Sequence, residues 1–406
     1  MREASTPTPS GGDTIGRRIA QARKLRGLTQ QQLADRVPCS KSLIAQVESG
    51  HKPATQALIT AAARALRVPL GRLTGQPYRD ADERLDRIHQ RIPEIRQAML
   101  AWDLPDEDVP APSIEQIKAD VRRASDLGRR ARYIQLGEML PGLLEELTRA
   151  IHSSEGARRE ELFGLLSEAY TGVTAIAYTL GYFDLRSLAM DRVASAAHAS
   201  QDPLRVARTQ WQRSTLFLAA ASYDKGILLL DRVRGGIGDH LDQLSRPELS
   251  VYGAAHLRSA VFAARANDRQ RATDHIRHAR QAADMLGADS NYYGMEFGHS
   301  NVTFHEVTVA VEMYDGAAAV ECAGQAVLPQ SVAPVRLGHF YIDLARGWLY
   351  HGDRQKSLDA LHQARRVAPQ QTRNHPMVRE TVRMLNELER RRPQSLSRFA
   401  SWLGMS

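Results

Sequence analysis

Cysteine is nearly absent from these 406 residues: only Cys39 and Cys322 occur, and they fall in segments that read as different domains. That scarcity excludes a disulfide framework and fits a reduced, cytoplasmic setting best. No apolar run approaches the roughly 20 residues a membrane-crossing helix needs, so no membrane contact is expected. The opening MREASTPTPSGGD has no apolar centre of the kind a secretory leader requires, and residues 1–12 read as a disordered tail. Lysine is also rare, with six against 48 arginines. What remains is ordinary globular material, 43% hydrophobic and 25% charged, in a chain long enough for two or three domains.

The net charge of +8 becomes informative once it is located. Residues 1–76 hold 12 Lys/Arg against 4 Asp/Glu, whereas the other 330 residues hold 42 of each sign. A neutral body with a basic head is the electrostatic pattern of a module that meets a polyanion, nucleic acid above all.

Within the head, residues 13–76, the pattern predicts five short helices. Asp13 can cap the first, whose Ile15, Ile19, Ala22 and Leu25 share one face before Gly27 ends it. Thr29 caps a second with Leu33 and Ala34 on its inner side. After Val37-Pro38-Cys39, Ser40 is a good cap for a third helix, Lys41 to Ser49. A fourth, alanine-rich helix runs from Ala54 to Leu66, and a last turn around Leu70–Leu73 closes the domain. Small Ala34 permits a close crossing of the second and third helices, with Leu33, Val37, Ile44 and Val47 as the apolar seam. That leaves Lys41, Ser42, Ala45 and Gln46 facing outward. Lysine and glutamine suit guanine and adenine edges in a major groove, and a small Ala45 admits a thymine methyl. Gln30, at the start of the preceding helix, suits a phosphate.

The string LTQQQLADRVPCSKSLIAQVESG, Leu28 to Gly50, resembles the lambda-repressor-like helix-turn-helix proteins of the xenobiotic-response-element type. The resemblance implies that Gln30 anchors a phosphate and that Lys41, Ser42 and Gln46 contact bases. It also implies that Arg23 and Glu48 form the buried ion pair tying the first helix to the recognition helix. The turn position usually held by glycine is Pro38, which cannot take a positive φ, so the turn must be built differently. The candidate DNA contacts are thus Arg17, Arg18, Arg23, Lys24, Gln30, Ser40, Lys41, Ser42, Ala45, Gln46 and Lys52.

Residues 77–112 read as a linker, a charged helix interrupted at Pro93 and then the acidic, proline-rich DLPDEDVPAPS. From 113 to 391 the pattern is helical with a repeat beneath it. In Gly338 to Gln371, Tyr341, Leu344, Ala345, Trp348, Ser357, Leu361, Ala364 and Pro369 occupy the slots of a tetratricopeptide repeat, with His351-Gly352-Asp353 as its inner turn. Weaker copies keep the same offsets around Ala177–Ala196, Ser214–Val233, Ala260–Ala279 and Val307–Ala326. Residues 392–406 are expected to cap the array. The fold class is all-α: a five-helix DNA-binding head followed by a tetratricopeptide-like α-solenoid.

A stacked array curves, and its concave face is a natural binding surface. The least alanine-like stretch, Asn291–Glu306, offers Tyr292, Tyr293, Asn301 and His305 as candidate ligand contacts, the last two at i and i+4 on one helical face. They serve equally well as satisfied core or surface polars. His299 and His305 are too poorly spaced to hold a metal, and no cofactor is expected. No nucleophile has the context of an enzyme's. The combined layout resembles the peptide-responsive regulators of Gram-positive bacteria and a set of actinobacterial regulators. It implies a homodimeric regulator of a pseudo-palindromic double-stranded DNA operator, with a small-molecule or peptide effector. The alternative is an adaptor whose repeats dock a partner protein while the head tethers it to DNA.

Overall fold

The computed structural model describes residues 14–78, 87–106, 108–238, 240–389 and 393–405. The N-terminal tail expected over 1–12 lies outside them, as does Asp13. The described residues are helical, without a strand; one isolated bridge pairs Ser290 with Phe297.

Five helices form the head: α1 Ile15–Leu25, α2 Gln30–Ala34, α3 Lys41–Glu48, α4 Gln56–Leu66 and α5 Leu70–Thr74. Four of them start on a hydroxyl that satisfies an orphan amide. Thr14 accepts from Arg17, Thr29 from Gln32, Ser40 from Leu43 and Thr55 from Leu58. Each such cap contributes about 1 kcal/mol. At Thr29 the cap is reciprocal, because the Gln32 side chain accepts the Thr29 amide at 2.9 Å. The core is Ile15, Ile19, Leu33, Val37, Ile44, Val47, Leu58, Ile59, Leu66 and Leu73, all buried. The turn around Pro38 needs no left-handed residue. Arg36 and Val37 donate to the carbonyls three residues back, Cys39 donates to Val37 at 2.8 Å, and buried Val37 plugs the corner.

A second unit, Gln76–His375, has its own cores. Its first helices are α6 Arg87–Gln90 and α7 Ile92–Leu100, which occupy the stretch expected to be linker. They are not linker: Ile88, Ile92, Ile95, Ala98 and Met99 are buried with Ile117, Leu136 and Leu140 in one core. The apolar face at i, i+4, i+7 was hidden among arginines and glutamates that stay outside, such as Arg96 paired with Asp184.

Six helical hairpins follow: α8 Ile114–Arg129 with α9 Tyr133–His152, α10 Gly156–Leu180 with α11 Phe183–Ala199, and α12 Pro203–Ala219 with α13 Tyr223–Ile237. Then come α14 Arg246–Arg265 with α15 Arg269–Leu286, α16 His299–Glu312 with α17 Gly316–Gly324, and α18 Pro334–His351 with α19 Arg354–Val367. One turn builds all six. A residue in the left-handed region (Ala131, Gly181, Ala221, Asn267, Tyr314 or Gly352) ends the first helix. The next amide then reaches back five residues to a helix carbonyl, as Asp353 does to Trp348 at 3.0 Å. This is the Schellman closure, and it fixes the angle at which the second helix returns. Where paired helices cross, small residues let them touch: Ser357 Oγ, fully buried, donates to the Ala345 carbonyl at 2.7 Å. The short α20 Pro369–Asn374 contacts α10 and α18, and α18 also contacts α8, so the superhelix winds back on its own beginning.

The chain ends with α21 Pro376–Leu388 and α22 Gln394–Trp402. Pro376–Ser406 belongs to the same compact unit as Met1–Gly75, so the tail expected to cap the repeats is part of the head instead. Glu380, buried on α21, accepts the Ala54 amide at 3.4 Å and pairs with Arg383 at 2.7 Å. The carboxylate of Glu387 lies beside Gly50.

Candidate functional site

α3 is the element the charge pattern and spacing single out. Its inner residues Ile44 and Val47 are buried, while Lys41, Ser42 and Gln46 are exposed and Ala45 half-buried. Ser42 and Gln46 sit one turn apart, with the Gln46 amide 3.4 Å from the Ser42 hydroxyl. A polar strip one turn long therefore faces outward from a rigid apolar backing. Ser40 is exposed, but its hydroxyl is engaged in capping Leu43 at 3.2 Å.

Two devices hold that strip in place. Arg23 on α1 donates Nε to Glu48 Oε1 at 2.6 Å, Nη2 to Oε2 at 2.8 Å and Nη1 to the Leu28 carbonyl at 2.6 Å. Hydrogen bonding to Glu48 raises the pKa of the guanidinium above its ordinary value. Arg23 is buried, so it is a brace for α3 and is removed from the surface cations it was grouped with. The second device is Gly16: a Cβ there would lie 2.0 Å from the Val47 carbonyl oxygen. The backbones of α1 and α3 therefore meet directly, a contact the sequence pattern did not signal, because a lone glycine inside a helix ordinarily reads only as a weak spot.

The other candidates divide. Arg17 and Lys24 are exposed on α1, and Lys52, half-buried, follows α3 with its amide donating to the Gln46 carbonyl. Arg18 turns toward α5, its guanidinium against Gly75 and 3.5 Å from the Leu73 carbonyl. Gln30 is tied to the brace, its amide donating to Glu48 Oε2 at 2.9 Å. Cys39, beside the α2–α3 turn, is held as a thiol, with burial pushing its pKa up to about 11.

In the repeat unit, the stretch Asn291–Glu306 is not one helix. Tyr292 and Tyr293 lie in a short 3-10 turn, Tyr293 with φ 51°, and α16 begins only at His299. The Tyr293 hydroxyl donates to Asp202 at 3.0 Å, and Tyr292 is exposed. Asn301 and His305 do share a face of α16. The His305 ring donates Nδ1–H to the Asn301 carbonyl at 2.8 Å, and burial pushes its pKa down to about 3, so it stays neutral. Asn301 donates to the Glu296 carbonyl at 2.7 Å, while its own Oδ1 is buried without a partner and the residue lines a cavity of about 140 Å³. Arg129, Glu296, Phe304 and Arg336 line the same cavity. The tyrosines are not among the residues lining it. The arginines went unread because Arg129 and Arg336 are 207 positions apart in the sequence and only the fold brings them to one cavity.

Comparison with known proteins matches residues 14–74 to a family described as a helix-turn-helix domain. Among solved structures, the chain is similar to PlcR of Bacillus thuringiensis, crystallised with the peptide PapR7 and DNA. That match has 14% identity over 87% of this chain and 93% of that one, with a TM-score of 0.26. It is also similar to ComR from Streptococcus suis, at 12% identity over 87% and 96%, TM-score 0.25. ComR from S. thermophilus, in complex with DNA and its signalling peptide ComS, matches at 12% identity over 62% and 100%, TM-score 0.22. No curated protein sequence matches the chain. The 14–74 match and the five helices of the head agree, and this part of the chain is a helix-turn-helix domain.

Proposed function

We propose that the chain is a sequence-specific transcriptional regulator that reads duplex DNA with α3 and responds to an effector held by the repeat unit. The observation that carries this reading is the exposed Lys41, Ser42 and Gln46 on a helix fixed from behind by the Arg23–Glu48 pair. Lys41 would donate to guanine, Gln46 would bridge an adenine edge, and Ala45 would accept a thymine methyl. Arg17, Lys24 and Lys52 would meet phosphates around the groove. One such helix reads only a few base pairs, so two copies of the chain on a two-fold site supply the remaining specificity. The effector, a peptide or small molecule, would bind within the superhelix, where the Asn301–Arg336 cavity offers buried polar groups.

The test is binding of the full chain to duplex DNA across a salt series, followed by selection from random duplexes. A steep fall in affinity with salt and enrichment of a pseudo-palindrome are expected. A chain indifferent to duplex DNA at low salt would end this reading.

A further inference from the structure

The interior of the superhelix holds cations that its carboxylates do not neutralise. The guanidinium carbon of Arg258 on α14 lies over the Trp211 ring, 4.5 Å from its centroid, and that of Arg186 over Tyr178 at 4.7 Å. Arg336 donates to the Met295 carbonyl at 3.3 Å and lines the 140 Å³ cavity. Among the described residues none of the three forms an ion pair. The nearby carboxylates are paired with other arginines, Glu168 with Arg205, Glu296 with Arg129 and Asp343 with Arg346; the charge of Glu296 also acts on Arg336, which lines the same cavity. The Nε of Arg258 is buried without a hydrogen-bond partner. Burial lowers its pKa to about 9, and the neighbouring charges of Arg336 and Arg186 add to that effect.

Three like charges converging in a desolvated interior are unfavourable unless an anion joins them. An aromatic ring beneath a guanidinium covers its face and leaves its N–H edge free, the geometry that takes a carboxylate in the plane through two parallel hydrogen bonds. We propose that Arg258, with Arg186 and Arg336 beside it, is the seat for a carboxylate carried by the effector. This rests on the reading of the repeat unit as the sensor, and it narrows the effector to an acid. A short peptide with a free C-terminus or an acidic side chain satisfies it. Trp211 and Tyr178 orient the seat, and Asn301 Oδ1 stands ready for an amide N–H of the same ligand.

The test uses the full-length chain in acetate, inorganic phosphate or chloride at equal ionic strength, with the thermal midpoint as readout. Acetate is expected to protect more than chloride does, and Arg258→Met to abolish the difference. Without added oxyanion, Arg258→Met should itself melt about 2–4 °C higher, because it removes an unpaired buried charge. Equal midpoints in acetate and chloride, protection retained in Arg258→Met, or protection by phosphate alone would each overturn the proposal. Affinity for duplex DNA is read in the same series, against Arg258→Met as the reference. Protection by acetate without change in that affinity would leave the seat standing and sink the sensor reading. A response of DNA affinity without protection would sink the seat alone.

Discussion

Arg23 and Glu48, 25 residues apart in the chain, are joined by two hydrogen bonds of 2.6 and 2.8 Å, with their side chains only 10% and 6% exposed on the inner side of the recognition helix. The pair links the end of α1 to the end of α3 and recruits Gln30 from α2, so a single carboxylate sets the mutual position of three helices.

Removing that carboxylate leaves the Arg23 cation buried and unpaired. Glu48→Ala is expected to lower stability by about 3–5 kcal/mol in chemical denaturation of the head. Glu48→Gln, which keeps the shape and one acceptor, should cost less and should weaken specific DNA binding more than non-specific binding. An Ala variant as stable as the parent would show that the brace is ornamental.

Gln46→Ala and Arg17→Ala should fail in different ways. The first removes a base-reading amide, so affinity for the selected site falls by about 1–3 kcal/mol while non-specific affinity holds. The second removes a phosphate-facing cation, so affinity falls on every sequence and the salt dependence flattens by about one charge. Identical behaviour of the two variants in fluorescence anisotropy would contradict the assignment of α3.

Gly16→Ala should destabilise the head although alanine is the better helix former by about 1 kcal/mol. The added methyl would sit 2.0 Å from the Val47 carbonyl oxygen, which is backbone and cannot swing aside. The thermal midpoint is therefore expected to drop, and a rise would mean that α1 and α3 do not touch there.

The C-terminal helices should stabilise the DNA-binding head. Glu380→Ala leaves the Ala54 amide without its acceptor and Arg383 with Glu387 as its remaining carboxylate, and is expected to cost about 1–3 kcal/mol. Hydrogen exchange gives the sharper check: amides of α4 should lose protection in this variant. Unchanged protection there would detach the tail from the head.

Acid should destabilise the repeat unit before it titrates ordinary carboxylates. His256 and His275 share one hydrogen bond, Nδ1 to Nδ1 at 3.0 Å, so the accepting ring must be neutral. Burial first, then Arg234, lowers His275 to about 4 and His256 to about 2. Both folded values lie below the unfolded one of about 6.5, so on acidification the unfolded chain takes up protons first. Stability is complete above about pH 6.5 and declines as pH falls toward 4, by at most about 1.4 kcal/mol per pH unit for each ring. In urea titrations between pH 7 and 4.5, His275→Gln should show a shallower decline than the parent.

Much was legible before any tertiary structure, and all of it was local. Hydroxyl caps at Thr29 and Ser40 and the inner residues Leu33, Ile44 and Val47 marked the head, because capping and a 3.6-residue period act within one or two turns. Five of the six hairpins were visible through their small crossing residues. The sixth, α8 with α9, was missed because charged residues surround the narrow apolar face of α8, Ile117, Val121 and Ala124. The linker reading failed at α7 for a related reason: charged neighbours masked a narrow apolar face that only a partner surface could reveal.

Residue pattern alone, then, determined the helices, the basic head and the outward strip of α3, since each depends on spacing along the chain. Tertiary structure decided which ends meet: that Pro376–Ser406 joins the head, that Arg23 turns inward, and that arginines far apart in sequence converge on one interior. Those outcomes depend on pairs of residues tens or hundreds of positions apart, and no periodicity records which distant surface a buried charge will face.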